Sequence, residues 1–362
     1  MGYFEALTLN SITYSGDELP RFVEERLNSN ELIEYEKPLY SFIKEWISYS
    51  SVISVKTSGT TGEPKVITFT KPQAIASAQM TCDYFGLNPN TNALLSLSTD
   101  FIGGKMMVVR AFVSGMNLIT VEPSGNPLEA INKRIDFASM VPLQVRNSIQ
   151  NKESKGKFLT IPNVIIGGAP ISPALEKEIV GCNTNIYSTF AMTETLSHIA
   201  LKKLSGKDRK DYYELLPGIS ISADERGCLV INAPSLNEET IITNDMVEII
   251  NPTHFLWLGR HDNVINSGGI KIHPEIVENK LAALLPNQRF FISSVPDEKL
   301  GQKVVMVIEG GADFDVTIIK NQTGKILSKY EIPKEYFVID KFVETASGKV
   351  KKGDTLKASA KT

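Results

Sequence analysis

The segment whose composition points most clearly to chemistry is a nine-residue run of glycine and hydroxyl side chains, TSGTTGEPK, at residues 57–65. Its two glycines let backbone N–H groups turn toward an anion, and its four hydroxyls add further donors, so the run is suited to holding phosphate. The spacing of Gly59 and Gly62, and the lack of Ser or Thr after Lys65, do not fit the pattern G-x-x-x-x-G-K-[ST]. A polar hairpin loop without a ligand is the alternative interpretation.

Other candidate residues have ordinary explanations when each is taken alone. Glu194 directly after Thr193 suits a hard cation, but an acidic residue there is equally typical of a helix start. Arg260 could form only a surface salt bridge, and Arg110 could be a helix cation that reaches solvent. The four histidines do not have metal-ligand spacing, so we predict no zinc site, and no G-x-S-x-G elbow is present.

Six motifs occur in the order found in the adenylate-forming superfamily of acyl-CoA synthetases, peptide-synthetase adenylation domains and luciferases. Residues 57–65 resemble the phosphate loop [ST]-S-G-[ST]-T-G-x-P-K of that family. The other five resemble Y-G-x-T-E at 190–194, T-G-D at 243–245, G-R-x-D at 259–262, G-G-x-K-I at 268–272 and S-G-K at 347–349. By these motifs the chain is identified as a member of this superfamily.

The resemblance implies a reaction in two halves. A carboxylic acid and ATP give an acyl-adenylate and pyrophosphate, and the thiol of CoA then displaces AMP. The first half brings two anions together, so it requires neutralisation of charge and in-line positioning. The implied co-substrates are ATP, Mg²⁺ and CoA, without a tightly bound organic cofactor.

The resemblance also assigns roles to individual residues. Lys349 would bridge the substrate carboxylate and the α-phosphate, Thr193 would donate to the α-phosphate, and Glu194 would hold Mg²⁺. Asp245 would accept hydrogen bonds from the ribose hydroxyls, and Phe190 would lie against the adenine. The implied nucleotide and phosphate site comprises Thr57, Ser58, Gly59, Thr60, Thr61, Gly62, Lys65, Gly167, Gly168, Ala169, Phe190, Asp245 and Arg260. Asp262 is implied as a hinge, and the implied CoA-side loop comprises Gly268, Gly269 and Lys271.

Three stretches resemble the subfamily of these ligases that activates o-succinylbenzoate in menaquinone biosynthesis. They are FIGG at 101–104 followed by Arg110, SMVPLQ at 139–144, and MTETLSH at 192–198, and the first departs from the subfamily where Phe101 replaces a common His. That acid is a dianion, so its second carboxylate needs a cation or donor in the pocket. Arg110 is the main candidate, with Lys105, Ser197 and His198 as secondary ones. Another aryl- or acyl-CoA synthetase, a stand-alone carrier-loading enzyme and an inactive nucleotide-binding protein remain alternatives.

The elements that must position these residues alternate between short apolar runs and longer amphipathic segments, which predicts a layered α/β fold. Strands are predicted at 51–56, 65–70, 93–97, 117–121, 163–166 and 185–189, and helices at 19–27, 71–85, 106–114 and 172–180. After residue 262 the pattern predicts helices at 274–285 and 316–327 and strands at 290–295 and 303–308. Because ligands of α/β folds collect at the carboxyl ends of strands, we expect the loops after 166 and 189 to carry chemistry.

We predict an AMP-binding domain over residues 1–261, shortened at its N-terminus, and a small mobile α+β domain over 262–362. The first carries 23 basic and 28 acidic residues and the second 15 and 13, so their charges are −5 and +2. A net charge of −3 argues against nucleic acid as a partner and favours a small molecule. Three scattered cysteines and the lack of a long apolar run predict a cytoplasmic protein without membrane insertion. A homodimer is compatible with the sequence.

Overall fold

The computed structural model describes residues 5–56, 66–285, 288–311, 314–344 and 350–359. The chain divides into two compact units. Unit 1 comprises residues 1–171, 178–220 and 231–241, and unit 2 comprises 172–177, 221–230 and 242–362. The boundary expected at Asp262 between an AMP-binding domain and a small mobile domain stays a prediction.

Unit 1 contains eleven strands and six helices in its described residues. The strands are β1 Ala6–Leu9, β2 Ile12–Ser15, β3 Val52–Lys56, β4 Val66–Thr70, β5 Asn92–Leu95, β6 Asn117–Thr120, β7 Phe137–Met140, β8 Asn163–Ile166, β9 Asn185–Ala191, β10 His198–Lys203 and β11 Tyr213–Leu215. The helices are α1 Glu18–Asn28, α2 Glu36–Ile47, α3 Lys71–Phe85, α4 Ile102–Ser114, α5 Pro142–Gln150 and α6 Lys152–Phe158.

The sheet of unit 1 has the strand order β11-β10-β9-β8-β7-β5-β6-β1-β2. The six strands from β9 to β1 are parallel, whereas β10, β11 and β2 join antiparallel at the sides. Central strands of this kind are buried on both faces, and Leu94, Phe137, Val164 and Ile186 are accordingly inaccessible to solvent. The α/β class predicted from the alternating pattern is confirmed.

Helix α3 has the predicted bounds because both of its ends carry strong local signals. Thr70 accepts a hydrogen bond from the backbone of Gln73, whose side chain in turn accepts from the Thr70 N–H, and Gly86 ends the helix with a φ of 64°. Helix α4 begins four residues before the predicted Met106. Gly103 and Gly104 have low helix propensity, so the sequence pattern placed the start too late.

Where the chain passes between the two units it forms α7 Pro173–Ile179, β12 Ser220–Ala223, β13 Cys228–Asn232 and β14 Ile241–Asn251. The remaining elements of unit 2 are β15 His254–Arg260, β16 Ile265–Ser267, β17 Ile270–Ile272, α8 Pro274–Leu281, β18 Phe290–Asp297, β19 Gly301–Glu309, α9 Thr317–Ile326, β20 Glu335–Ile339 and α10 Lys352–Ser359. Strands β12 to β15 are neighbours in sequence order. The second sheet has the order β17-β16-β19-β18, with β20 also paired to β19.

The core of unit 2 forms where α8 and α9 cover this second sheet. Val277 and Leu281 of α8 pack with Met306 and Ile308 of β19, all of them fully buried. Helix α8 ends at Leu281 and a short 3₁₀ turn follows at Ala282–Leu284, where the sequence predicted one continuous helix to 285.

Candidate functional site

Two adjacent parallel strands of unit 1 bring the predicted adenine-binding elements together. Strands β8 and β9 pair with Ile166 opposite Ser188, so Gly167, which follows β8, lies beside the last residues of β9, among them Phe190. The Thr189 hydroxyl donates to the Ile166 carbonyl at 3.1 Å, and a side chain at Gly167 would lie 2.7 Å from that hydroxyl. Close packing of the two strands therefore favours glycine at position 167, and its role beside the adenine stays a prediction. Phe190 is nearly buried and packs edge-on against Tyr213, with 5.6 Å between ring centroids.

Thr193 and Glu194 lie in a 3₁₀ turn directly after β9. The turn is held by the Thr195 hydroxyl, which contacts the carbonyls of Met192 at 3.1 Å and Ser197 at 2.8 Å. Leu196 has a φ of 63°, in the left-handed region that non-glycine residues rarely adopt, and such backbone strain is concentrated at functional sites.

The side chain of Glu194 is exposed and forms no ion pair or hydrogen bond with the residues that the structure describes. A hard divalent cation prefers such an unengaged carboxylate oxygen. The residue therefore fits the predicted Mg²⁺ ligand.

Arg110 and His198 form a buried polar cluster with Ser197 and Thr81. The Arg110 guanidinium donates to the Ser197 hydroxyl at 2.9 Å, and the two ring nitrogens of His198 lie 3.3 Å from Ser197 Oγ and Thr81 Oγ1. Arg110 is 2% exposed, and no carboxylate of the described residues pairs with it. The Nε atom of Arg110 is buried and has no hydrogen-bond partner among the described residues.

Burial controls the protonation of this cluster. Desolvation lowers the pKa of Arg110 to about 10, which leaves the guanidinium charged at neutral pH. Desolvation, reinforced by repulsion from Arg110, lowers the pKa of His198 well below its usual range. The cluster therefore carries a single positive charge at neutral pH, and that charge is on Arg110.

Lys105 does not join the Arg110 cluster although both residues belong to α4. Its ammonium group donates to the Ser54 carbonyl at 2.8 Å and lies 3.5 Å from the Glu45 carboxylate. These contacts link α4 to α2 and to β3, the strand that leads into the predicted phosphate loop.

Unit 2 brings Asp245, Arg260 and Asp262 close together. Asp245 on β14 is the register partner of Arg260 on β15. Arg260 forms an ion pair with Asp262 at 3.1 Å, whereas the Asp245 carboxylate accepts a hydrogen bond from the Trp257 indole at 2.9 Å. Asn244, where the family motif has glycine, donates to the Asp262 carboxylate at 3.2 Å. The residue predicted as a hinge is thus contacted by two side chains of unit 2.

Gly268 and Gly269 form a two-residue turn between β16 and β17, whose paired ends are Ser267 and Ile270. Both glycines have positive φ, 61° and 83°, as a type I′ hairpin turn requires. Lys271 follows as an exposed residue of β17. The local reason for the two glycines is therefore the turn, and their proposed approach to CoA stays a prediction.

The predicted phosphate loop and the predicted catalytic lysine lie outside the described residues. These positions are Thr57, Ser58, Gly59, Thr60, Thr61, Gly62, Lys65 and Lys349. The flanking residues are described. Lys56 pairs with Val66 at the ends of β3 and β4, and Glu344 forms a bridge with Val350.

Two surface cavities of about 390 and 380 Å³ lie away from all these residues. They are lined by residues that precede β5, β7 and β8, among them Arg134 and Asp136. Because ligands of parallel α/β sheets bind at the carboxyl ends of the strands, we propose that the site lies at the rim that carries Gly167, Phe190 and Glu194. In the described residues no group of three or more His, Cys, Asp and Glu side chains is arranged to hold a metal ion.

Comparison with known proteins identifies the family. The AMP-binding enzyme family matches residues 43–223, half of the chain, and the chain belongs to this family. The chain is 36% identical to an acyl-CoA synthetase (AMP-forming)/AMP-acid ligase II-like protein from Dyadobacter fermentans. The match covers 94% of this chain and 98% of that one, with a TM-score of 0.64. The predicted superfamily is confirmed.

More distant relatives include named ligases. The chain is 27% identical to the 2-succinylbenzoate–CoA ligase of Salmonella typhimurium and spans 62% of its length. It is 24% identical to the ligase of that name from Oceanobacillus iheyensis and spans 77% of its length. The o-succinylbenzoate CoA synthetase of Bacillus subtilis, solved with ATP and magnesium, has the same fold at 21% identity, with a TM-score of 0.72 over 84% of this chain and 69% of that one.

Several residues that shape the site escaped the sequence analysis. Thr81 and Trp257 lie outside all the quoted motifs, whereas Thr195 and Leu196 lie inside the stretch MTETLSH but received no predicted role. Their contacts depend on tertiary pairing, as with Thr81, which is 117 residues from His198. Only Asn244 carried a signal, because it replaces a motif glycine.

Proposed function

We propose that the protein is an ATP-dependent, AMP-forming acid–CoA ligase and that its acid is o-succinylbenzoate, which it converts to o-succinylbenzoyl-CoA in menaquinone biosynthesis. Membership of the AMP-binding enzyme family supports the adenylation chemistry. The names of the Salmonella and Oceanobacillus relatives support the acid and the thiol.

The observation that carries the choice of acid is the buried positive charge of Arg110. A buried cation without a counter-ion is costly, and a ligand carboxylate that enters beside it forms a charge-assisted hydrogen bond in a desolvated setting. Ser197, which Arg110 contacts, lies three residues after Glu194 and therefore on the loop that we assign to the reacting phosphates. This arrangement suits an acid with two carboxylates, one to be activated and one to be held.

Different residues of the chain have different roles in the first half-reaction. Residues 57–65 and Thr193 donate to phosphate oxygens, Asp245 and Phe190 hold the nucleoside, and Glu194 would hold Mg²⁺, which supplies charge neutralisation when bound. Lys349 brings a positive charge to the carboxylate oxygen that attacks the α-phosphorus as pyrophosphate leaves. In the second half-reaction the CoA sulfur attacks the acyl carbon and AMP leaves.

We also propose that the segment after Asp262 moves between the half-reactions, so that Lys349 serves adenylation and the Gly268–Gly269 turn serves the thiol. Such a motion concentrates backbone change in a few residues, as hinges do. We place the reaction in the cytoplasm, where ATP and CoA are available. None of the helices in the described residues combines the length and the apolar character needed to cross a membrane. A homodimer remains a prediction.

A pyrophosphate-release assay with a panel of acids tests the function. We expect ATP- and CoA-dependent turnover with o-succinylbenzoate and little with benzoate, fatty acids or simple aryl acids. Turnover of one of those acids without turnover of o-succinylbenzoate would identify a different acyl- or aryl-CoA synthetase. Adenylation without transfer to CoA would favour a carrier-loading enzyme, and no pyrophosphate release with any acid would favour an inactive nucleotide-binding protein.

Lys349→Ala separates the two halves of the proposed reaction. Removing the ammonium group should lower the adenylation rate by about 100-fold or more, since loss of one such electrostatic contact typically costs that much. Thioester formation from chemically prepared acyl-adenylate should stay within about threefold of wild type. Single-turnover measurements of both steps provide the comparison, with Lys357→Ala as the control because it removes an exposed lysine of α10. Equal loss in both halves would remove Lys349 from its proposed role.

A further inference from the structure

The Trp257 indole forms a hydrogen bond with the carboxylate that we assign to ribose binding. Its Nε1 donates to Asp245 Oδ1 at 2.9 Å, from β15 to β14. Among the described residues, the indole is the hydrogen-bond partner of this carboxylate. Arg260 lies opposite Asp245 in the strand register, but its guanidinium pairs with Asp262. Trp257 is 36% exposed, so it lies at the surface of unit 2 and is not part of its core.

We propose that Trp257 is a positioning residue for nucleotide recognition, and that its indole N–H fixes the plane of the Asp245 carboxylate so that the carboxylate selects ribose over deoxyribose. This inference rests on the proposed function, in which Asp245 receives the ribose hydroxyls of ATP.

The chemistry of a carboxylate explains why it needs a fixed plane. A vicinal diol presents two hydroxyl donors, and a carboxylate binds both only when each of its oxygens faces one of them. The last torsion of Asp is broad, so an unsupported carboxylate samples many planes. An indole N–H is a donor only, and it occupies one of the roughly four lone-pair positions of the carboxylate. The remaining positions stay available to the two hydroxyls.

The backbone around Asp245 is held independently of the indole. The Asp245 N–H donates to the Thr243 hydroxyl at 3.0 Å, and the Val247 N–H donates to the Gly227 carbonyl at 3.1 Å. Arg226 also donates to the Thr243 carbonyl at 3.1 Å. Loss of the indole N–H should therefore free the carboxylate while leaving β14 in place, which makes Trp257→Phe an informative variant.

Calorimetric binding of ATP, 2′-deoxyATP and 3′-deoxyATP to the full chain with Mg²⁺ tests the proposal without requiring the acid. Wild type should bind ATP more tightly than at least one deoxy analogue. Trp257→Phe should weaken ATP binding by about five- to tenfold, as expected for a lost hydrogen bond to a charged group at a partly exposed site, and should change deoxy-analogue binding by less than about twofold. The preference for ribose therefore falls.

Two further variants complete the test. Asp245→Asn should also reduce the preference for ribose, and Leu256→Val, one residue before Trp257 on β15, should retain the wild-type preference. If Trp257→Phe weakens all three nucleotides equally, or keeps the wild-type preference, the positioning role is overturned while the nucleotide site stands. If wild type does not bind ATP, or Asp245→Asn keeps the full preference, the assignment of Asp245 in the proposed function fails, and the role of Trp257 fails with it.

Discussion

At the scale of single residues, Arg110 is the clearest case of a side chain whose burial is energetically costly. Its guanidinium is desolvated, contacts the neutral Ser197 hydroxyl, and lacks an acidic partner in the described residues. Replacement of buried charge by an apolar residue of similar size is often neutral or stabilising. Stability and function should therefore respond in opposite directions at this position.

We predict that Arg110→Met keeps or raises the free energy of unfolding, by up to about 1 kcal/mol, because the buried charge is removed. The same change should lower kcat/KM for o-succinylbenzoate by about 100-fold or more, since a substrate carboxylate would enter an apolar pocket unpaired. Urea unfolding measures the free energy of unfolding, and steady-state kinetics measure kcat/KM. Arg209→Met, at an exposed position, should change neither. A strongly destabilised variant with unchanged kcat/KM would mean that Arg110 serves the fold alone.

His198 predicts a dependence of stability on pH. Its folded-state pKa lies well below that of a free imidazole, which titrates at about 6.5 in the unfolded chain. Between those values the unfolded chain binds a proton that the folded chain does not. The free energy of unfolding should therefore fall as the pH drops below about 6.5, by at most ~1.4 kcal/mol per pH unit from this residue.

Chemical denaturation of wild type and His198→Gln between about pH 7.5 and 5 checks this sign. His273, whose pKa is also lowered by burial, contributes equally to both proteins and cancels in the difference. The difference in unfolding free energy between wild type and His198→Gln should be constant above about pH 6.5. Below that pH, wild type should lose stability relative to the variant. Parallel curves over the whole range would show that His198 titrates alike in the folded and unfolded chains.

At the scale of elements, helix α10 is tied to α8 and β18 by one ion pair. Lys352 Nζ lies 2.8 Å from the Glu278 carboxylate, which also accepts the Ile292 N–H at 2.8 Å. Burial raises the pKa of Glu278, and Lys352 partly opposes that shift. Lys352 follows the proposed catalytic Lys349 by three residues, and Glu344 and Val350, on either side of the undescribed residues, form a bridge.

Lys352→Met should destabilise the protein by about 2 kcal/mol, because it leaves the Glu278 carboxylate without its cation. This destabilisation is smaller than is usual for breaking a buried ion pair, since Lys352 is partly exposed. Adenylation should slow more than thioester formation, since Lys349 serves only the former. Adding Glu278→Met should recover much of the lost stability. Additive destabilisation in the double variant would show that the two side chains are not coupled.

At the scale of the whole molecule, the proposed function requires one segment to serve two half-reactions in turn. Asp262, the predicted hinge, contacts Asn244 and Arg260 in unit 2. Both contacts involve exposed groups, and exposed pairs of this kind contribute less than about 1 kcal/mol, so they do not prevent a change of backbone conformation.

Asp262→Pro should impair the two half-reactions unequally, because proline fixes φ near −65° and restricts the positions that the hinge can reach. Single-turnover pyrophosphate release and thioester formation from prepared adenylate should differ by about tenfold or more in their response. Asp262→Ala, which removes the side chain but leaves the backbone free, should change both by less than about threefold. A uniform loss in the proline variant would argue against a hinge at this residue.

Much of the fold could be predicted because local signals agree with the final structure. The apolar run Asn163–Ile166 and the capped helix Lys71–Phe85 appear with the predicted bounds. Strand β7 was not predicted, since its four residues, FASM, show no alternation and are all buried between β5 and β8. The short strands β1 and β2 at one side of the sheet were missed as well. Strand β1 pairs with β6, more than 100 residues further along the chain, and β2 joins the sheet through its pairing with β1.

The sequence by itself determined the family, the α/β class and the order of the motifs, because each of these depends on residue types at fixed spacing along the chain. It also identified Arg110, Ser197 and His198 as candidates. Only the tertiary structure decided that these three meet in one buried cluster, that Lys105 contacts β3 instead, and that Trp257 contacts Asp245. Contacts of this kind depend on strand register and side-chain burial, and the spacing of residues along the chain does not encode either one locally.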